Sequence, residues 1–295
     1  AADTNNPFGT PAKPRSSIPN PVPAGSVVEL HGTYTKSQTS PNGLVLKGTS
    51  AAPVFIRGAS ASDRPKILIG WEVSGSYGIL ENLVFTFTQS RDGLALLAPA
   101  SHLALRHSDV SGNPNGGGMG IASWSSAAAD NVVVYHNYIH DNGDVNATFD
   151  QDVHAIAVGP RVSNLWVVDN ELARSSGDGI QINAGNKKAD QPTLHHVYVG
   201  RNVSHHHKQT GFWVKQAVDV IFSQNTAYGH RPSDSSAGAG MGAQYAPDYV
   251  WFLFNRIHDC DIGIGTGSDS DMGTGTEMFI IGNLIHNIHT ASSYN

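Results

Sequence analysis

The segment Val132-Val133-Val134-Tyr135-His136-Asn137-Tyr138-Ile139-His140-Asp141 contains the pattern that decides the fold of this chain. A run of β-branched and aromatic residues leads to one Asn, and a short apolar–polar run ending in His-Asp follows it. Residues 250–259 repeat the pattern as Val-Trp-Phe-Leu-Phe-Asn-Arg-Ile-His-Asp. Weaker copies surround Asn170, Asn202, Asn225 and Asn283. Such self-similarity predicts an array of repeated structural units.

The recurring Asn fixes the length of one repeat. The intervals between successive copies are 33, 32, 23, 30 and 28 residues, which suits one coil of a β-helix with loops of variable length. Asn tolerates left-handed backbone angles and forms local hydrogen bonds, so we expect it at a sharp turn of each coil. Stacked in successive coils, these side chains would form an amide ladder. His140, His258 and His286 share one repeat position and are interpreted as structural.

A second strand is expected in each coil, because short segments with alternating apolar residues lie between the Asn copies. Gly179-Ile180-Gln181-Ile182-Asn183 is an example: its second and fourth members should point inward and its third and fifth outward. The sequence therefore predicts an all-β protein, a right-handed parallel β-helix. A β-propeller, with a period of ~40–45 residues, is the alternative. We expect an N-terminal coil or cap over 1–26 and one β-helix domain over 27–295, open to continuation or capping beyond residue 295.

Composition narrows the class of protein. The 295 residues are 39% hydrophobic and 14% charged, unlike a disordered chain. The net charge of −6 argues against a nucleic-acid binder, and the lack of a run of ~18 apolar residues argues against a membrane-spanning helix. Cys260 stands alone and is expected to be buried packing. The start Ala1-Ala2-Asp3 is typical of a chain after signal cleavage, which predicts a secreted, extracellular or periplasmic protein.

The Asn-ended repeats between Asn137 and Asn287, with Ser176-Gly177-Asp178-Gly179-Ile180 among them, resemble the right-handed β-helix repeat superfamily. That superfamily includes pectate and alginate lyases, mannuronan C5-epimerases, polygalacturonases and phage tailspikes. The resemblance covers most of the chain and implies a secreted carbohydrate-active protein that acts on an acidic, uronate-containing polysaccharide. It is specific for fold and unspecific for activity, so function has to be argued from a site.

The first candidate site is the outward side of the second strands. Successive coils stack at ~4.8 Å, so outward residues of neighbouring coils should cluster. Amides bind sugar hydroxyls, Trp stacks on pyranose rings and Lys pairs with carboxylates, a mixture that suits a polysaccharide. A solvated sheet face is the alternative interpretation. The expected substrate-binding cluster comprises Gln181, Asn183, Trp213, Lys215 and Gln244, flanked by Trp124.

Acidic residues and one His precede these strands. Asp152, His154 and Asp178 should lie on neighbouring coils, where a carboxylate can orient an imidazole. The Asp-x-His spacing of Asp152 and His154 resembles the acid–His motif of alginate epimerases, although the rest of that motif is missing. Asp150 and Asp152 lie in an oxygen-rich segment and are candidate Ca²⁺ ligands, with loop capping as the alternative.

A basic rim is expected beside this cluster. His205, His207, His230 and Arg231 lie in the turns around the coil that carries Lys215. Exposed polar loops are the alternative interpretation of each His.

Three functions stay open at the level of sequence. β-Elimination or C5-epimerisation would use His154 or Lys215 as the base and Arg231 to neutralise the uronate carboxylate, with Ca²⁺ as a possible cofactor. A glycoside hydrolase would instead use Asp152 and Asp178 as paired carboxyl groups. A non-catalytic polysaccharide binder or tailspike-like fibre would need neither. The sugar, the linkage and the oligomeric state are left open.

Overall fold

Parallel pairing between successive coils defines the architecture. The computed structural model describes residues 9–35, 43–87, 93–114, 118–121, 128–185, 187–267 and 277–289. In these residues, every ladder between the named strands is parallel and joins a strand to its counterpart in the next coil, as in Ile180↔Phe212 and Phe212↔Met241. The predicted parallel β-helix is confirmed.

The strands follow one another along the chain, and the described residues contain one 3-10 helix, at Lys188–Thr193. In chain order they are β1 (Val22–Pro23), β2 (Val27–Leu30), β3 (Thr33–Tyr34), β4 (Gly43–Lys47), β5 (Val54–Gly58), β6 (Lys66–Ile67), β7 (Trp71–Glu81), β8 (Val84–Thr86), β9 (Leu94–Arg106), β10 (Asp109–Ser111), β11 (Met119–Ile121), β12 (Ala129–Tyr135), β13 (Tyr138–His140), β14 (Ile156–Val158), β15 (Val162–Val168), β16 (Glu171–Ala173), β17 (Ile180–Asn183), β18 (His195–Gly200), β19 (Val203–His205), β20 (Phe212–Lys215), β21 (Val218–Ser223), β22 (Thr226–Tyr228), β23 (Ala239–Gln244), β24 (Asp248–Leu253), β25 (Arg256–His258), β26 (Ile262–Gly267), β27 (Met278–Ile281) and β28 (Leu284–His286).

Each coil contributes one strand to each of three faces. Face 1 contains β1, β4, β11, β14, β17, β20, β23 and β26; face 2 contains β2, β5, β12, β15, β18, β21, β24 and β27. The long strands β7 and β9 run through both faces and join them into one 18-stranded sheet. Face 3 is a separate ten-stranded sheet of β3, β6, β8, β10, β13, β16, β19, β22, β25 and β28.

The core fills the space between the faces because apolar residues alternate along each strand. On face 1 the inward Ile180, Ile182, Phe212 and Val214 are fully buried, as the sequence predicts. Burial of apolar surface stabilises the stack by roughly 25 cal/mol per Å². Cys260 is also fully buried, which confirms its predicted role in packing, and burial raises the pKa of its thiol to about 11.

The amide ladder forms at the corner between faces 2 and 3. The side-chain N–H of Asn137 donates to Oδ1 of Asn170 over 2.9 Å, and the backbone N–H of Asn137 donates to the same oxygen. The same pair of bonds links each later Asn to the next, as far as Asn283.

At this corner the left-handed backbone conformation belongs to the residue before the Asn and not to the Asn itself. The residue before it has the positive φ: 55° at His136, 56° at Asp169 and 54° at Arg201. The Asn is buried and its amide is fully engaged in the ladder.

The strand β1 lies within the N-terminal segment that the sequence predicts to be a coil or cap. This two-residue strand pairs with Leu46–Lys47 of β4 and so adds to face 1. No helix in the part of the chain described above is long and apolar enough to cross a membrane.

Candidate functional site

The outward side of face 1 brings together the polar and aromatic residues predicted there. Gln181 of β17 lies beside Trp213 of β20, and Asn183 lies beside Lys215, which in turn lies beside Gln244 of β23. All five side chains are half-buried. The predicted cluster is therefore present in register across three coils; Trp124 lies outside the described residues.

Lys215 is the cation at the centre of this cluster. Its Nζ lies 5.7 Å from the ring centroid of Tyr245, the residue that follows β23. This cation–π contact directs the ammonium group toward the coil of β23. Tyr245 was not identified from the sequence as part of the cluster, although an aromatic residue directly after Gln244 could have suggested it.

His154, Asp152 and Asp178, which we call the acid–imidazole cluster, lie at the start of the strands of face 1. Nε2 of His154 is 3.6 Å from Oδ1 of Asp152, and its Nδ1 is 3.6 Å from Oδ2 of Asp178. The side chain of Asp152 is 61% exposed, whereas that of Asp178 is 4% exposed. The expected convergence of these residues on neighbouring coils is thus seen.

The hydrogen bonds of Asp178 determine which ring nitrogen of neutral His154 carries the proton. Its backbone N–H donates to Nδ1 of His154 over 2.9 Å. Its carboxylate accepts from the backbone N–H of Thr210 over 2.9 Å and from the side-chain amide of Gln181 over 3.0 Å. The first bond occupies the lone pair of Nδ1, so neutral His154 carries its proton on Nε2.

Burial raises the pKa of Asp178, because desolvation penalises the charged carboxylate. His154, the hydrogen bonds from Gln181 and Thr210, and the positive charge of Lys215 oppose this shift.

The loop 144–152 is fastened to two later turns. Nζ of Lys208 donates to the carbonyl oxygens of Ala147 and Phe149, each over 2.7 Å. Arg231 donates to the carbonyl oxygen of Val145 and, over 3.2 Å, to Oδ1 of Asn146. Arg231, predicted to neutralise a substrate carboxylate, therefore has its guanidinium engaged with this loop.

Asp150, the other anchor of this loop, was predicted as a Ca²⁺ ligand. One of its carboxylate oxygens accepts from Gln209 and the other accepts from Ser233 and Ser235. Protein donors therefore occupy both oxygens, as loop capping requires. Among the described residues, no group of three or more His, Cys, Asp or Glu side chains could hold a metal ion.

The histidines of the expected basic rim lie elsewhere. His207 and His230 are buried, 0% and 3% exposed, with their rings stacked at 5.4 Å. Burial, and to a lesser degree neighbouring histidines, lowers the pKa of His230 to about 3 and that of His207 well below its usual value. Both are therefore neutral interior residues that cannot supply an exposed positive charge.

His205 lies on face 3 rather than on face 1. Its ring stacks on Tyr228 at 5.1 Å, and the stack continues through His258 to His286 at 5.0 Å per step. This column of rings runs along the solenoid and supports the structural interpretation of His258 and His286. His205 is thus away from the outward cluster of Lys215 and Trp213.

Comparison with known proteins rests on structure alone. No protein-family model matches the sequence, and no curated protein matches it either. A mannuronan C-5 epimerase A-module from Azotobacter vinelandii superposes with a TM-score of 0.55 at 12% identity, covering 90% of this chain and 87% of the module. The chain shares the parallel β-helix fold of this epimerase module.

Two lyases have the same fold. A pectate lyase superposes with a TM-score of 0.56 at 12% identity, covering 94% of this chain and 79% of the lyase. A mannuronic-acid-specific polysaccharide family 6 lyase from human gut microbiota superposes with a TM-score of 0.52 at 15% identity, covering 83% of this chain and 62% of the lyase. At such identities the likeness concerns the fold.

Proposed function

We propose that this protein acts on a uronate-containing polysaccharide by abstracting the C5 proton, which leads to β-elimination or to C5-epimerisation. The observation that carries the proposal is the position of Lys215 between Asn183 and Gln244 on an outward strand face. Amide side chains on either side of a cation suit a sugar ring with hydroxyl groups and a carboxylate. The three structural neighbours, a mannuronan C-5 epimerase, a pectate lyase and a mannuronic-acid-specific lyase, support the same substrate class.

In this proposal Lys215 is the base. Its ammonium group first loses a proton to solvent, and the resulting amine takes the C5 proton while the electron pair left at C5 is delocalised into the uronate carboxyl group. In elimination, this electron pair forms the C4–C5 double bond, the C4–O bond breaks and the leaving oxygen takes a proton from solvent. In epimerisation, a proton from solvent returns to C5 from the opposite side of the ring.

Toward the substrate, His154 acts as a hydrogen-bond donor and not as a base. Its Nδ1 lone pair is used by the backbone N–H of Asp178, so Nε2–H points away from that bond toward Asp152. This N–H can donate to the uronate carboxylate and stabilise the negative charge that develops there when C5 loses its proton. The assignment replaces Arg231, whose guanidinium binds the loop 144–152.

A hydrolase is the second candidate, because the cluster contains two unlike carboxyl groups. Asp178 has a raised pKa and Asp152 is exposed, a difference that suits a general acid and a general base. This candidate predicts new reducing ends without an unsaturated product. If the protein is a non-catalytic binder, it should bind the polysaccharide and leave it chemically unchanged.

A panel of polyuronates and neutral polysaccharides tests the proposal. Alginate, polymannuronate, pectate and glycosaminoglycans are incubated with the protein, with and without Ca²⁺ or EDTA. Product is followed by the ultraviolet absorbance of unsaturated uronate, by reducing ends and by the C5 configuration in NMR spectra. Lys215→Ala should abolish product, whereas Lys47→Ala, an exposed Lys at a remote coil of face 1, should not. Equal activity of both variants would overturn the assignment of Lys215.

Calcium dependence and location are parts of the same proposal. The EDTA arm asks whether Ca²⁺ is needed, and no reaction step above is routed through it. Secretion or a periplasmic location is expected from the substrate class, since polyuronates lie outside the cytoplasm. Detection of the protein outside the cytoplasm of its own cells would support it.

A further inference from the structure

The indole of Trp213 lies over two glycines of face 1. A Cβ atom added at Gly242 would lie 1.9 Å from Cζ3 and 2.7 Å from Cε3 of Trp213, so the indole occupies the space of that side chain. A Cβ atom at Gly265 would lie 3.7 Å from Cζ3 and Cη2. The six-membered ring therefore covers the outward positions of two successive strands, β23 and β26. Gly242 is buried although its position faces outward.

The polar edge of the same indole is fixed. Nε1–H of Trp213 donates to Oε1 of Gln244 over 3.3 Å. Gln244 leans in the same direction as the indole, since its Cγ would lie 2.9 Å from a Cβ atom at Gly267. With its N–H engaged, the ring presents an apolar face to solvent.

The strand beyond the indole, β26, has glycines at its outward positions. Gly265 and Gly267 are the outward residues of β26 beside Gly242 and Gln244. An apolar ring beside glycines is a surface that the C–H face of a sugar ring can approach closely, because the glycines themselves add no side chains to it. The aromatic ring face is also electron-rich and attracts the weakly positive hydrogens of such a face.

We propose that Trp213, which packs against Gly242 and Gly265, is a stacking subsite for a pyranose ring of the bound polysaccharide. The subsite lies beyond Lys215 in the direction of the later coils, which contain β23 and β26. The inference rests on the proposed function for the identity of the polymer, but it concerns binding and can stand without catalysis. The subsite would hold a ring that is not the reacting one. Long oligosaccharides should therefore use it, and oligosaccharides too short to reach past Lys215 should not.

Binding measurements with matched Trp variants test the subsite. Isothermal titration calorimetry uses short and long oligomannuronates, oligoguluronates and oligogalacturonates. Trp213→Ala should weaken binding of the long oligosaccharides roughly 3- to 10-fold, the value of one aromatic contact, and Trp213→Phe should weaken it less. Trp166→Ala removes an exposed Trp of face 2 and should leave binding unchanged. Unchanged binding of Trp213→Ala would mean that the indole only shields the glycine strands.

The packing of Trp213 against Gly242 is tested separately. Gly242→Ala should lift the indole and weaken binding as Trp213→Ala does, because its Cβ atom would lie 2.7 Å from Cε3 of Trp213. The new Cβ atom of Gly242→Ala also meets the carbonyl oxygen of Gly265 at 2.5 Å, so thermal unfolding is measured first. If that variant does not fold, the comparison of Trp213→Phe with Trp213→Ala decides.

The outcomes separate this inference from the proposed function. Binding that depends on Trp213, with no product from any polymer, supports the subsite and overturns the catalytic proposal. Product formation with binding and KM independent of Trp213 overturns the subsite and leaves the catalytic proposal standing. No binding of any oligosaccharide to the wild type overturns both.

Discussion

The backbone N–H of Asp178 donates a hydrogen bond of 2.9 Å to Nδ1 of His154. A neutral imidazole has one N–H and one acceptor nitrogen, so this bond leaves His154 with its proton on Nε2. A general base must offer a free lone pair to the proton that it removes. His154 does not offer one in this arrangement, which is why Lys215 is assigned the role.

Replacing His154 by Asn should separate its structural contribution from its catalytic one. The amide oxygen of Asn can accept the N–H of Asp178, but Asn has no donor at the position of Nε2. We expect His154→Asn to unfold in urea near the wild-type concentration and to lose most activity. His154→Ala should also lose about 1–3 kcal/mol of stability, because a buried N–H loses its partner. An Asn variant with full activity would show that the Nε2–H has no part in the reaction.

Replacing Lys215 by Arg should keep the positive charge and remove the base. A guanidinium stays protonated in proteins, so it cannot take the C5 proton. We expect Lys215→Arg to bind oligouronates within a few-fold of the wild type and to form no product. Substantial turnover by the Arg variant would mean that Lys215 acts as a cation toward the carboxylate and that another group is the base.

The outward cluster of face 1 could be predicted because strand periodicity alone sets it. Once Ile180 and Ile182 point inward, Gln181 and Asn183 must point outward, and parallel register puts Trp213 and Lys215 beside them. The amide ladder was predictable for a similar reason, since Asn recurs at one position of six successive coils, from Asn137 to Asn283.

The turns were less predictable, because their direction depends on single backbone angles. His206 has a φ of 59°, and the chain turns there so that His205 faces face 3 while His207 enters the interior. Three adjacent histidines give no sign of this. The fastening of loop 144–152 by Lys208 and Arg231 is also a contact between loops of different coils, which no periodicity encodes.

The buried pair His207 and His230 should make the stability of the protein fall in mild acid. Burial lowers the pKa of His230 to about 3 in the folded state, while it is near 6.5 in the unfolded state. The unfolded chain therefore takes up the proton first as pH falls. The stability is fully present above pH ~6.5 and is lost progressively toward pH ~3, by about 2 kcal/mol at pH ~5 from His230 alone.

Urea unfolding between neutral pH and pH ~4 measures this dependence. His230→Asn is the matched variant, because its amide oxygen can still accept the N–H of His207, which Nδ1 of His230 accepts over 3.4 Å. It does not titrate in this range, so its stability should fall less steeply with pH than that of the wild type. Identical slopes for the two proteins would assign the acid sensitivity to other groups.

The middle of the amide ladder should be more sensitive to mutation than its end. Oδ1 of Asn202 accepts both N–H groups from Asn170, and its Nδ2 donates to Asn225 and to the carbonyl oxygen of Val167. Asn202→Ala leaves these buried groups without partners, and we expect a loss of about 2–4 kcal/mol in the free energy of unfolding. Asn283→Ala, at the half-buried last step, should cost less because water can replace the lost amide. Equal costs at the two positions in urea unfolding would argue against a ladder whose strength depends on burial.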